Sequence, residues 1–197
     1  MDGAQLASIR AAADRSEIAQ VLGRYCRAID RLDVALLRSV YHPDGVDDHG
    51  AMCLNAHEFA TKILDMLGSA CVHTIHTVTH SVIDVDGDKA YAESYYFASH
   101  TVAADAKAIE GFFGPKYLEE QRAAGTLGRR HEYLCTGRYL DELHRRDHEW
   151  KIFRRRITLE WGVCRPEQMA TEGVPAAFQV NSRRDREDLV YKLLAGA

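Results

Sequence analysis

The sequence predicts an α+β fold: helices come first, and a curved antiparallel sheet follows and packs one face against them. Three observations carry this. Apolar residues recur at helical spacing through roughly the first seventy positions. From residue 72 onward the period falls to two. The alternating runs also pair up around tight turn signals, Val85-Asp86-Gly87-Asp88 and Arg146-Asp147-His148-Glu149. Helices segregated from a run of hairpins pack on one face of the sheet.

The first helix is expected from about Asp14 to Arg31, where Ile18, Val21, Leu22, Tyr25, Cys26 and Ile29 form one stripe. Asp30 follows Cys26 by four residues and Leu22 by eight, which puts a carboxylate on or beside that stripe at the helix C-terminus. The helix dipole disfavours an anion there, and burial without a partner is costly. Such a conflict marks a candidate functional residue; the plainer reading is a surface carboxylate at a fraying end, or a cap. Asp33 can cap a short helix from Val34 to Tyr41, which His42-Pro43-Asp44-Gly45 would end. Residues 46–54 read as a polar stretch and then a short edge strand. Asn55 and Glu58 form a capping-box variant before a helix through Phe59, Ile63, Met66 and Leu67, stopped by Gly68.

Residues 72–85 and 89–103 form the first predicted hairpin. On an unbroken strand His76, Val78, His80 and Val82 share one face, and His73, Ile75, Thr77, Thr79 and Ile83 the other. His76 and His80 would then be about 13 Å apart, too far to hold one metal as a pair. Residues 104–128 are expected to form a long irregular insert carrying Phe112, Phe113 and Pro115, with a short helix from Lys116 to Ala124. Residues 131–145 and 150–163 make the second hairpin, and a last helix is expected from Asp185 to Leu194. In the final strand Lys151, Phe153, Arg155, Ile157, Leu159 and Trp161 share a face by alternation. That places the Arg155 charge on an apolar surface, where it needs a carboxylate or a bound anion; a bulge would exchange it for a neighbour.

Composition narrows the partners. The net charge of −4 gives no reason to expect nucleic acid or an anionic membrane. Five scattered cysteines without a Cys-x-x-Cys pair read as reduced thiols. No apolar run approaches the ~18 residues needed to span a bilayer, and no secretory signal is visible, so the expectation is a soluble cytoplasmic protein. Neither a dinucleotide-binding glycine pattern nor a P-loop is present, and no cofactor is expected. A zinc or iron site drawn from His73, His76, His80, Asp47, Asp48 and His49 is a weaker alternative, because a strand separates the imidazoles.

The segments RYCRAIDRLDVALLRSVYHPDGVDDHG (24–50), HTIHTVTHSVIDVDGDKAYAESYY (73–96) and GRYLDELHRRDHEWKIFRRRITLEW (137–161) resemble the SnoaL-like branch of the nuclear-transport-factor-2-like superfamily. The resemblance implies a cone-shaped sheet with the N-terminal helices on its concave face. It makes residues 1–164 one domain with an insert at 104–128, and leaves 165–197 as an extension that covers a pocket or an interface. Within that superfamily the residues are most similar to the group holding scytalone dehydratase, hexachlorocyclohexane dehydrochlorinase and bile-acid 7α-dehydratase. That group implies an Asp–His dyad of Asp30 and His76, with Tyr25 and Arg155 as further catalytic groups. His80 falls where members commonly carry Asn. Tyr41, His80, Tyr96, Phe112, Phe113 and Trp161 are the expected substrate-binding residues, and no metal is called for.

A carboxylate that accepts from imidazole Nδ1 fixes the tautomer and leaves Nε2 as a base. The expected activity is a cofactor-independent elimination or isomerisation of a small apolar cyclic substrate such as a steroid, terpenoid or polyketide-like ring. The alternative is a non-catalytic ligand-binding or assembly subunit, resembling the small subunit of ring-hydroxylating dioxygenases. The resemblance also implies a homo-oligomer, a dimer or trimer.

Overall fold

The computed structural model describes residues 2–177 and 182–195. Helix α1 runs Gly3–Asp30, starting eleven residues before the expected Asp14. Its first turns carry no buried stripe. They hold because Asp2 and Gln5 close a reciprocal capping box and because Gln, Leu, Arg and Ala are good helix formers. The buried stripe from Ile18 to Asp30 is the one the sequence predicts. Leu32 turns the chain with φ 51°, and Asp33 accepts from Leu36 N–H to cap α2, Val34–Ser39.

The expected extension of α2 to Tyr41 does not form. Strand β1, Tyr41–Asp48, begins there, since buried Tyr41 gains a strand partner in β6 (Glu149–Pro166). His42-Pro43-Asp44-Gly45 lies inside β1 and not at a helix end, within an irregularity of the pairing between Tyr41 and Val46. Such a position suits a proline with no N–H to give. A Cβ on Gly45 would come within 2.9 Å of the His42 carbonyl and 3.1 Å of the Phe153 carbonyl, so the glycine permits this close approach. Edge strand β2 is Cys53–Asn55, and Asn55 caps α3, Ala56–Ala70, which runs through Gly68.

Strands β3 (Cys71–Asp86), β4 (Lys89–Val102), β5 (His131–Arg146) and β6 complete a six-stranded sheet in the order β2-β1-β6-β5-β4-β3. Its pairs are antiparallel except β1 with β6, which run parallel. The sheet is curved and unclosed, with α1 against β3 and β6 and α3 against β1. Within the insert, the expected short helix forms as α5, Pro115–Ala123, starting on its proline after Gly114 at φ 89°, and a second helix, α4, Ala106–Phe113, capped by Asp105, replaces the irregular part before it.

Beside an extra residue at Val72 near the start of β3, three bulges decide how the predicted site residues face. In β3, Val78 opposes Tyr96 and His80 opposes Tyr95, so Thr79 is an extra residue. In β6 the extra residues are Phe153, between the partners of Leu143 and Glu142, and Glu160, between the partners of Gly137 and Thr136. Each bulge reverses the alternation beyond it. His80 therefore turns to the outer face and not to the face of His76, and Val82 joins it while Ile83 turns in. Trp150 and Ile152 point inward in place of Lys151 and Phe153, then Arg155, Ile157 and Leu159 do so, and Trp161 turns out again. At the last of these bulges a Cβ on Gly137 would meet the Thr158 carbonyl at 1.9 Å, so only glycine fits.

In the tail, α6 spans Gly173–Ala177 and α7 spans Leu189–Ala195, beginning four residues later than expected. Positions 178–181 and 196–197 of the expected extension lie outside the described residues. Residues 182–191 fold back on the C-terminal ends of α1 and α3. Arg186 and the Tyr191 hydroxyl both bond Asp33, Arg31 pairs with Asp188, and Ser182 Oγ lies 3.1 Å from His73 Nε2. Among the described residues no helix is long and apolar enough to cross a membrane.

Candidate active site

Between α1, α3, α4 and the inner face of the sheet lies a cavity of about 400 Å³. Asp30 and His76 meet at its wall. Asp30 Oδ1 accepts from His76 Nδ1–H at 2.8 Å, and Oδ2 accepts the His76 backbone N–H at 2.9 Å. Both carboxylate oxygens are thus committed to one residue, which fixes the ring plane and its tautomer and leaves Nε2 free. His76 lines the cavity.

The unfavourable position of Asp30 at a helix C-terminus is offset from the tail. Arg184 donates through Nε to the Asp30 carbonyl (3.4 Å), and through Nη1 to the carbonyls of Leu67 (3.1 Å) and Cys71. One guanidinium so bridges the ends of α1 and α3, where a cation is favourable. Burial lowers its pKa below the ordinary arginine value.

Of the other expected site residues, Tyr25, Tyr96 and Phe112 line the cavity. Tyr96 stacks on Tyr139 with ring centres 4.5 Å apart and donates to the Thr158 carbonyl. Phe112 reaches in from α4 and packs on Tyr133 and His100. Phe113 turns away, against Tyr117 and His131. His80 does not reach the cavity wall: it stacks on Tyr95 outside, because of the Thr79 bulge. Trp161, expected to bind substrate, is instead 53% exposed on the outer face because of the Glu160 bulge.

Arg155 faces inward but stays behind the wall. It is 0% exposed, donates through Nε and Nη2 to the two oxygens of Asp141 (2.7 Å each), and lies between the rings of Tyr25 (3.9 Å) and Tyr139 (4.1 Å). Burial works against its charge, but the Asp141 carboxylate, with Tyr41 and Tyr25 adding to it, holds the guanidinium's pKa above its ordinary range. Tyr41 is equally buried, packs edge-on to Tyr25, and donates its hydroxyl to Asp47. Burial, then the Asp47 charge, pushes the phenols of Tyr25 and Tyr41 upward.

Sequence reasoning missed His100, Tyr133, Cys135 and the pairing of Asp47 with His49, though all but Asp47 line the cavity. His100 sits edge-on to His76 with ring centres 5.0 Å apart. Burial, with His76 adding to it, pushes its pKa down to about 3, so it stands as a neutral ring. Its signal was available: positions 96, 98 and 100 share one face of β4. Cys26, Cys71 and Cys135 are buried thiols pushed up to about 11 by desolvation, which makes them poor nucleophiles. The histidines and acids of the metal alternative are spread over both faces of the sheet. Among the described residues no group of three or more His, Cys, Asp or Glu is arranged to hold a metal ion.

The SnoaL-like domain family matches residues 10–156. The chain belongs to that family. No curated protein matches it by sequence. Among solved structures, the Kfla4162 protein of Kribbella flavida is 22% identical, with a TM-score of 0.61 over 78% of this chain and 95% of that one. A type 2 hexachlorocyclohexane dehydrochlorinase, LinA, is 18% identical, with a TM-score of 0.65 over 85% of this chain and 99% of its own. A putative scytalone dehydratase from Novosphingobium aromaticivorans is 16% identical, with a TM-score of 0.62 over 79% and 90%. These likenesses establish the fold.

Proposed function

We propose that this SnoaL-like protein is a cofactor-independent lyase or isomerase in which His76, oriented by Asp30, removes a proton from an apolar cyclic small molecule. The observation that carries the reading is the Asp30–His76 pair at the wall of a cavity otherwise lined by residues such as Ile29, Leu67, Tyr96 and Phe112. The cavity's volume falls in the range of small-molecule sites. A base facing an apolar wall suits a carbon acid β to a leaving group or α to a carbonyl, because a low-dielectric wall strengthens the charge interactions beside it. Tyr25 lines the same space, with its phenol hydrogen-bonded to Arg155. Arg155, behind Tyr25 and Tyr139, acts by holding those rings. Two similar folds carry names of eliminations, dehydrochlorination and dehydration, which agrees with this chemistry.

The alternative of an assembly subunit draws on one observation. Ile75, Val82, Tyr91, Tyr95, Phe97 and Trp161 leave apolar surface on the outer face of the sheet. We assign that face to association with further copies of the chain, which is compatible with catalysis inside.

The test uses 2-tetralone in D2O, with exchange of its α-protons followed by NMR. Wild type should accelerate exchange, and His76→Gln should abolish the acceleration. Asp30→Asn should lower it by about 10²–10⁴-fold, the usual worth of a general base. Equal exchange by wild type and His76→Gln would end the base assignment.

A further inference from the structure

The cavity wall carries a second histidine built in the same way as the first. Asp47 lies in β1 with its side chain 0% exposed, and both of its oxygens are taken: Oδ2 accepts the Tyr41 hydroxyl and Oδ1 accepts from His49 Nδ1–H. Asp47 is next to last in β1 and His49 is the first residue beyond it, so the two are two apart along extended chain and point the same way. The His49 ring is fixed twice more. It stacks on Phe59 with centres 4.6 Å apart, and its backbone N–H donates to the Met52 carbonyl across the turn made by Gly50 at φ 71°. His49 and Gly50 both line the cavity that His76 lines. A buried carboxylate, a tyrosine that braces it and a stacked ring are more than an incidental surface histidine requires.

Charge sets its role apart from that of His76. The interior beside it contains two carboxylates, Asp47 and Asp141, and one guanidinium, Arg155.

Resting on the base assignment for His76, we propose that His49, positioned by Asp47, is the proton donor of the cavity. It hydrogen-bonds the oxygen of a cyclic ketone or alcohol and protonates it as negative charge develops. In an elimination, His76 takes the proton from carbon, the C–H electron pair becomes the C=C bond, and the C–O bond breaks. The departing hydroxyl takes the proton of His49 and leaves as water. His76 then returns its proton to solvent and His49 takes one up. In an isomerisation the same donor holds the enolate oxygen.

The experiment separates donor from base. 2-Naphthol has the shape of the enol of 2-tetralone, and naphthalene is the same shape without the hydroxyl. Binding of both is measured by fluorescence titration. Wild type should prefer 2-naphthol, and His49→Gln should lose about 10-fold or more of that preference while binding naphthalene as before, as expected for a lost hydrogen bond to a charged donor. His76→Gln should leave the ratio unchanged and remove only the tetralone exchange. An unchanged ratio in His49→Gln overturns the proposal. If exchange ignores His76 while the naphthol preference follows His49, the base assignment falls and the donor site stands. Asp47→Asn, a change at the positioning residue, should shift the His49 Nδ1 signal in long-range 1H–15N spectra. An unaltered His49 signal in a folded Asp47→Asn protein also counts against the proposal.

Discussion

Asp141→Ala should cost more stability than any change at the cavity wall. The substitution leaves the Arg155 guanidinium with no carboxylate, at a site where both side chains are 0% exposed and two 2.7 Å hydrogen bonds are lost. Breaking a buried ion pair from one side typically costs about 3–5 kcal/mol. For a chain of this size each kcal/mol shifts the melting temperature by roughly 2–4 °C, so a fall of about 6–20 °C is expected. The Tyr25 and Tyr139 rings, which sandwich the guanidinium, pull the result toward the lower end. Replacing both partners, Asp141→Leu with Arg155→Met, removes the unpaired charge and should recover most of the loss. Differential scanning calorimetry of wild type, single and double variants measures all three. A single variant that melts within about 2 °C of wild type, or a double variant less stable than the single, would refute the view that the ion pair anchors the tyrosine stack.

Three further outcomes are expected. Because His100 has a folded pKa near 3, below its ordinary 6.5, the unfolded chain binds the extra proton first. Stability is then full above pH 6.5 and falls as the pH drops toward 3, with buried His42 and half-buried His73 acting in the same sense. His100→Phe should flatten that acid limb in urea titrations; an unchanged slope would exclude His100 as its source. Arg184→Ala, which frees the carbonyls of Asp30, Leu67 and Cys71, should lower the melting temperature and speed proteolysis of the tail; digestion at the wild-type rate would count against that clasp. Gly137→Ala forces a Cβ into the Thr158 carbonyl and should destabilise the fold by roughly 1–3 kcal/mol or more, read from the urea midpoint.

The features legible in the sequence were those carried by long periodic runs and by residues at odds with their surroundings. Asp30 stood out as a carboxylate ending an apolar stripe, and the structure accounts for it through His76 and Arg184. The paired strands and their turns follow from alternation and turn chemistry. The facing of His80 and Trp161 was not legible, because one-residue bulges at Thr79 and Glu160 leave no mark in an unbroken β-branched or aromatic run. Arg155 was placed on the inner face by an alternation that the Phe153 bulge contradicts, and it faces inward only because of that bulge. The start of β1 was hidden because its hydrogen-bond partner, β6, lies about a hundred residues away, and helix α4 because Ala106–Phe113 is too short for periodicity to declare itself.

The extra residue at Phe153 makes the last strand sensitive to chain length more than to side-chain identity. Were Phe153 to pair regularly with Glu142, the following segment would slide by a residue, the Arg155 guanidinium would swing to the outer face, and Arg154 would stand opposite Asp141 in its place; deleting Phe153 would instead leave plain pairing with Arg155 still opposite Asp141. Single-codon deletions from Arg154 to Leu159, where every residue has a partner, should therefore be lost from a library in which deletion of Phe153 survives.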